Sequence, residues 1–275
     1  MCDMASEFVR SDGQITRCVS LLVMLAFWAA ADAAAQNARF TTGPVLAADE
    51  AVQAVAVWHG SVYAISNSRI GRYDVETGER LALWEGPLTH LNSGIVIDDT
   101  LYAAHSNYPG VPMVSSIEMF DPETLTHLGS HALGIGHGSA TWIDRRRGMW
   151  WVGFANYDGR GGTPGRSTEW TNIVVYDRHF RRVGGWVYPE EVTSRFEGRS
   201  NSGAAFGPDD RLYATGHDAT EVYVMEIPDL GATLRLAEII PFPGEGQGVA
   251  WDVSKDMLWG LKRSERVLVG ARIHR

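Results

Sequence analysis

The chain has 275 residues, a formal net charge of −9 and 45% hydrophobic residues, enough for a sizeable core. Its one basic run is Arg145-Arg146-Arg147, which leaves no clustered footprint for nucleic acid. Both cysteines, Cys2 and Cys18, fall at the N-terminus, so disulfides and thiolate chemistry are excluded from the rest of the chain.

The first element, residues 1–35, has the pattern of a secretory signal. Arg10 and Arg17 precede the apolar stretch 19–30, and small residues Ala31, Ala33, Ala34 and Ala35 follow. The apolar stretch is about a dozen residues, short of the ~20 needed to span a bilayer. Cleavage after Ala33 or Ala35 is expected, giving a periplasmic or extracellular protein with no membrane span. The leader holds two arginines against four acids, so the remaining domain, 36–275, stays mildly acidic.

From there, short apolar runs bounded by Gly, Pro, Asp and Asn replace helical periodicity, and they repeat. Each unit begins with a nearly continuous apolar run with small residues at its start: Ala54-Val-Ala-Val-Trp58, Gly94-Ile-Val-Ile97, Ala140-Thr-Trp-Ile143, Gly203-Ala-Ala-Phe206 and Gly248-Val-Ala-Trp251. A second strand carries an aromatic, at Tyr63, Tyr102, Trp151, Tyr213 and Trp259. A third ends in an acidic turn, at Tyr73-Asp74, Phe120-Asp121 and Tyr176-Asp177, with a weaker version at 226–229. The fourth is less regular, as in Leu81-Ala-Leu-Trp84.

Four strands every ~40–50 residues predict the blades of an all-β propeller, and five sets of landmarks predict five blades. Six blades would require splitting the long third unit, whose extra residues 157–171 read as a Gly-rich loop. The last unit stops after its third strand, Val267-Leu-Val269, so Ala38-Arg-Phe-Thr-Thr42 is expected to supply the fourth and close the ring.

In a blade A-B-C-D, the A–B and C–D turns share one face of the propeller. The B–C loops and D–A entries share the other. On the first face stand ordinary turn formers such as His59-Gly60, Asp98-Asp99, the stretch from Asp144 to Gly148, and Glu76-Thr-Gly78, with solvated charges. The second collects a mixed polar set. Its D–A entries carry Gln53; His90, Asn92 and Ser93; His137 and Ser139; Arg199, Asn201 and Ser202; and Glu245 and Gln247. Its B–C loops carry Asn67; His105, Ser106, Asn107 and Tyr108; Asn156, Tyr157 and Asp158; His217 and Asp218; and Lys262 and Arg263. Asn and Ser at strand starts also cap backbone groups. Four of nine histidines sit on this face, whereas His127, His131, His179 and His274 read as surface.

Three chemistries fit this inventory. Imidazoles with Glu245, Asp158 or Asp218 would suit one divalent ion, Zn²⁺ or Fe²⁺, and carboxylate and amide oxygens alone would suit Ca²⁺. Alternatively His217, His105 or His137 would act as a metal-free acid or base. The third is recognition alone, by Arg199, Lys262, Arg263 and the amides. His217-Asp218 is only suggestive as a pair, because adjacent residues of a strand point apart. No G-x-S-x-G elbow occurs. A small-molecule ligand on this face is the expected partner. The activity expected is a metal-assisted hydrolase, lyase or isomerase, and the alternative is a non-catalytic ligand- or protein-binding scaffold.

Residues Asn201-Ser-Gly-Ala-Ala-Phe-Gly-Pro-Asp-Asp210 and Leu212-Tyr-Ala-Thr-Gly-His-Asp218 resemble an "N-G-x-A-F-x-P-D-G … L-Y-x-x-D" blade. NHL/YVTN-like propellers share that blade, among them regucalcin- and gluconolactonase-type lactonases and strictosidine-synthase-like proteins. The resemblance implies a Ca²⁺ ligand at Asn201 and another at Asp218, with Asn92 equivalent in its own blade. That family has six blades and an N-terminal metal-binding Glu, for which Glu50 stands too early here. The chain also resembles plant-type glutaminyl cyclotransferases in size and blade count, and their catalytic Glu would map near Asn92-Ser93, where no acid stands. A likeness to exported bacterial propellers implies no activity.

Overall fold

The computed structural model describes residues 38–275, so the expected leader lies outside the described residues. Five four-stranded antiparallel sheets form a five-bladed β-propeller. Blade 1 comprises β2 (Ala54–Trp58), β3 (Ser61–Ile65), β4 (Arg69–Asp74) and β5 (Arg80–Glu85). Blade 2 runs through β6 (Leu91–Ile97), β7 (Thr100–Ser106), β8 (Val114–Phe120) and β9 (His127–Ile135). Blade 3 contains β10 (Ser139–Arg146), β11 (Met149–Ala155), β12 (Asn172–Tyr176) and β13 (Arg182–Val187). Blade 4 follows with β14 (Gly203–Phe206), β15 (Leu212–Thr215), β16 (Glu221–Glu226) and β17 (Arg235–Pro241). In blade 5, β18 (Glu245–Asp252), β19 (Met257–Lys262) and β20 (Val267–His274) are completed by β1 (Arg39–Ala47). That strand pairs antiparallel with β20 from Arg39↔His274 to Ala47↔Val267, longer than the five residues expected, with a bulge between Thr42 and Val45. Six blades are not formed: residues 157–171 connect β11 to β12 within one sheet.

Burial on both faces explains the continuous apolar runs. Along blade 1, Val55, Val62, Ala64 and Tyr73 pack against blade 5, while Ala54, Ala56, Tyr63, Ile65 and Ile70 pack against blade 2. Alternate residues thus serve two neighbours, and five such apolar layers close the ring. Outer strands have one wet face, and β5 alternates between exposed and half-buried residues. The acidic turns are Asx turns. Asp74 accepts hydrogen bonds from the N–H groups of Glu76 and Thr77, and Asp121 from those of Glu123 and Thr124. Two-residue turns at His59-Gly60 and Asp98-Asp99 have positive φ at both positions, matching the twist of the strands that they join.

Small residues at the inner-strand starts have a separate cause. A Cβ on Gly248 would lie 2.3 Å from the Ala54 Cβ, and one on Gly203 would lie 2.5 Å from the Gly248 Cα. The inner strands touch there, around the axis. This plug divides the axial space into two chambers. Among the described residues no helix is long and apolar enough to cross a membrane.

Candidate functional site

The chamber above the plug is a cavity of about 660 Å³, built from D–A entries and B–C loops. All five blades line it: Gln53 and Asn67 from the first; His90, Asn92 and Tyr108 from the second; Thr141, Tyr157 and Arg160 from the third; Arg199, Ser202 and His217 from the fourth; and Arg263 from the fifth. Its wall holds three arginines, two histidines, amides, hydroxyls and phenols, and no carboxylate.

At one side, the Gln53 amide and the His90 Nδ1–H both donate to the Asn67 carboxamide oxygen, at 2.7 and 3.1 Å. The His90 ring lies 4.8 Å from that of Tyr108, tilted by 31°. Burial drives its pKa down to about 4, with the neighbouring His105 and His217 adding to the shift, so it is neutral across the physiological range. Asn92 is buried at the wall and donates to the Ala140 carbonyl at 3.2 Å.

On the opposite side, His217 and Asp218 follow β15 in a bend, where neighbouring side chains can converge. His217 Nδ1 lies 2.7 Å from Asp218 Oδ1. The strand argument against this pair therefore fails, because the strand ends at Thr215. With Nδ1–H donating to Asp218, Nε2 is left as an acceptor, 3.5 Å from Arg263 Nη1. Arg199 Nη1 lies 2.9 Å from the other Asp218 oxygen. The His217 pKa is lowered, chiefly by burial and further by Arg199 and Arg263, against an upward pull from Asp218.

Several residues expected at the mouth hold it in place instead. Gln247 donates to the His217 carbonyl at 2.9 Å, fixing the loop that carries the imidazole. Glu245 accepts from the N–H groups of Arg263 and Ser264, fixing the loop that carries Arg263. Asn156 is fully buried and donates to the carbonyls of His137 and Trp170. Asp158 accepts from the Thr168 N–H at 2.7 Å and braces the long loop of blade 3. Lys262 pairs with Glu265 at the surface.

Two histidines go elsewhere. His105 lies between blades 1 and 2, where its Nδ1 is 3.0 Å from Ser116 Oγ and 3.7 Å from Glu118. Burial pushes the Glu118 carboxyl up, but hydrogen bonds from Ser116, Ser130 and His127 outweigh it and hold its pKa below the usual value. His127 is exposed, as expected, and it also reaches inward to the buried Glu118, 2.9 Å away. His137 lines a separate groove beside β12 and β13, with Arg166, Arg182 and Trp170. Arg160, in contrast, belongs to no sequence motif. It stands in the Gly-rich insertion of blade 3, and an insertion in a B–C loop is the one signal that marks it.

The lactonase resemblance implies a cation on Asn201 and Asp218, and these residues do not fit one. Asn201 is buried, and its side-chain oxygen accepts from the Trp142 indole at 2.5 Å and the Tyr188 hydroxyl at 2.9 Å. Its amide donates to the carbonyls of Gly203 and Thr215, so no lone pair faces the cavity. Asp218 is 63% exposed and turned to Arg199 and His217. Glu50 is fully buried and occupied by Arg69, Arg80 and the Tyr73 hydroxyl. Among the described residues no group of three His, Cys, Asp or Glu side chains is arranged to hold a metal ion.

Below the plug, a second chamber of about 450 Å³ is walled by apolar side chains such as Val57, Ile97, Phe206 and Trp251, together with Arg145, Arg146, Arg147 and Asp210. Asp144, expected as a solvated turn residue, is buried in this wall. It accepts from the N–H groups of Arg145 at 2.6 Å and Phe206 at 2.7 Å, joining the inner strands of blades 3 and 4. Burial raises its pKa to about 7, against the opposing pull of those two hydrogen bonds.

No family model matches the chain, and no curated protein does. Solved structures match its fold. A glutaminyl cyclase from Myxococcus xanthus superposes with a TM-score of 0.57 at 10% identity, over 86% of this chain and 97% of that one. A PQQ-bound aldose sugar dehydrogenase from Streptomyces coelicolor gives 0.51 at 15% identity, over 82% and 79%. A luciferin-regenerating enzyme gives 0.50 at 10% identity, over 85% and 96%. At such identities the likeness establishes the β-propeller fold.

Proposed function

We propose that this propeller is an exported protein whose upper axial cavity binds a small, hydroxylated organic anion. One observation carries the reading: in a chain of net charge −9, the cavity wall has Arg160, Arg199 and Arg263 and no acid, with Asp218 pairing Arg199 from outside the wall. Guanidinium forks match carboxylate and phosphate oxygens, and partial enclosure strengthens the attraction by excluding water. The amides and phenols opposite, at Gln53, Asn92, Tyr108 and Tyr157, supply the donors and acceptors that hydroxyl groups require. Export rests on the pattern of the leader.

Calorimetric titration of the leaderless protein tests the reading with malate, citrate, gluconate, pyruvate and phosphate, and with glucose as the neutral control. At least one anion should bind in the micromolar to low millimolar range and weaken with added salt, while glucose gives no heat. Binding of glucose alone, or of none of these compounds, would leave the scaffold reading in its place.

A further inference from the structure

The anion reading leaves open what the pair His217 and Asp218 does beside the guanidinia. We propose that His217 is the proton-transfer residue of this cavity and that its substrates are 2-oxo acids, whose carbon beside the keto group can release a proton. The inference rests on the anion reading and deepens it.

Its geometry is an oriented base next to an oxyanion partner. Asp218, 2.7 Å from Nδ1, favours the tautomer with the proton on Nδ1 and the lone pair on Nε2, while Arg199, 3.0 Å from Nδ1, pairs with the other Asp218 oxygen. Arg263 Nη1 lies 3.5 Å from Nε2. A ligand held on that guanidinium therefore places its nearest carbons within reach of the imidazole. In a 2-oxo acid, one carboxylate oxygen and the keto oxygen can lie side by side in one plane, the spacing that a guanidinium fork accepts. The C3–H bond breaks as Nε2–H forms, and the electron pair moves onto the keto oxygen as an enolate. Arg263 and Arg199 stabilise that oxygen, and Asp218 stabilises the imidazolium. Return of the proton to C3 restores the acid, so the step needs no oxidant or co-reactant.

Other groups in the wall fit less well. His90 donates its Nδ1–H to a neutral amide, and its pKa of about 4 makes it a weak base at neutral pH. Acyl transfer would need a nucleophile, yet among the described residues no Ser or Thr hydroxyl hydrogen-bonds to His217, whose partners are Arg199, Asp218 and Arg263. The surrounding side chains therefore favour moving a proton over forming a covalent bond.

Solvent exchange tests this whatever the end product of the reaction. Pyruvate and 2-oxobutyrate are incubated with the leaderless protein in D₂O near neutral pD, and loss of their C3 proton signals is followed by NMR. Wild type should exchange at least ~100-fold faster than His217→Gln, with pyruvate affinity by calorimetry within about threefold. Asp218 acts as a positioning residue. Asp218→Asn should slow exchange roughly tenfold at saturating pyruvate with little change in the half-saturating concentration, and Asp218→Glu should restore part of the rate. Pyruvate binding without exchange, or exchange that persists in His217→Gln, overturns the assignment and leaves the anion reading standing. Failure of every anion in the panel to bind overturns both.

Discussion

Both chambers of this propeller lie around the same five inner strands, yet loops and strand entries wall the upper one, the strands themselves wall the lower one, and their chemistry differs. Above the plug the wall is arginine, imidazole, amide and phenol. Below it an aliphatic and aromatic wall surrounds Asp144, which is bonded to backbone N–H groups. The three arginines there are each paired with an acid, Arg145 with Asp98 and Arg146 and Arg147 with Asp210. The difference follows from how the chain enters and leaves. Lower connections are mostly tight turns whose geometry is set by positive φ and Asx hydrogen bonds, which leaves little room to vary. Upper connections are longer, and the one from β11 to β12 spans residues 156–171. Longer loops can turn side chains onto the axis, so diversity of function collects there.

The largest expected effect is on the plug itself. Gly248→Val drives side-chain atoms into Ala54 and Ser93, so it should lower Tm by roughly 6–12 °C in a thermal scan, from about 3 kcal/mol of overpacking. A Tm within about 2 °C of wild type would mean that the strands do not meet at the axis.

Removing Arg199 and Arg263 together should weaken the tightest anion by about 10–100-fold in calorimetry, whereas Arg145→Ala on the lower face should leave it within about twofold. Equal losses from both faces would erase the distinction between the chambers. A smaller effect separates wall from support. Asn201→Ala strips the Trp142 and Tyr188 donors of their acceptor, and should cost about 2 kcal/mol in urea denaturation while anion affinity stays within about threefold.

The last prediction concerns pH. With its folded pKa raised to about 7 from 3.8, Asp144 contributes stability that is fully present below about pH 4 and is lost as pH rises through 7. Between pH 5 and 8, wild type should therefore lose more stability than Asp144→Asn, by about 2–3 kcal/mol, whatever the baseline of the variant. Parallel pH profiles would show that Asp144 carries the same charge at both values.

Much of the fold was legible because a blade repeats local rules. Continuous apolar runs marked the strands covered on both sides, and Asp74 and Asp121 marked their turns. Even the strand that closes the ring could be found, because blade 5 lacked one. The site was legible as a face but less so as a set of side chains. His90, Asn92, Tyr108, Arg199, His217 and Arg263 meet at the cavity, while His105, His137 and Asn201 share their side of the propeller and point into interblade layers or a lateral groove. A residue's place in a loop settles its height along the axis; its direction depends on backbone angles and on which neighbours are near.

Asp144 shows the same limit from the other face. Its position in an A–B turn reads as solvent, and only the approach of the Phe206 N–H, 62 positions along the chain, makes it an interior group. By itself the sequence determined the blade count, the closure and the polar character of the upper loops, because these depend on hydrophobic period and turn chemistry within some ~50 residues. The tertiary structure alone decided that three arginines share a cavity without acids, that Asn201 is saturated by Trp142 and Tyr188, and that His217 meets Asp218 in a bend. Those outcomes depend on distances between different blades and on one local break from strand geometry, which neither periodicity nor spacing encodes.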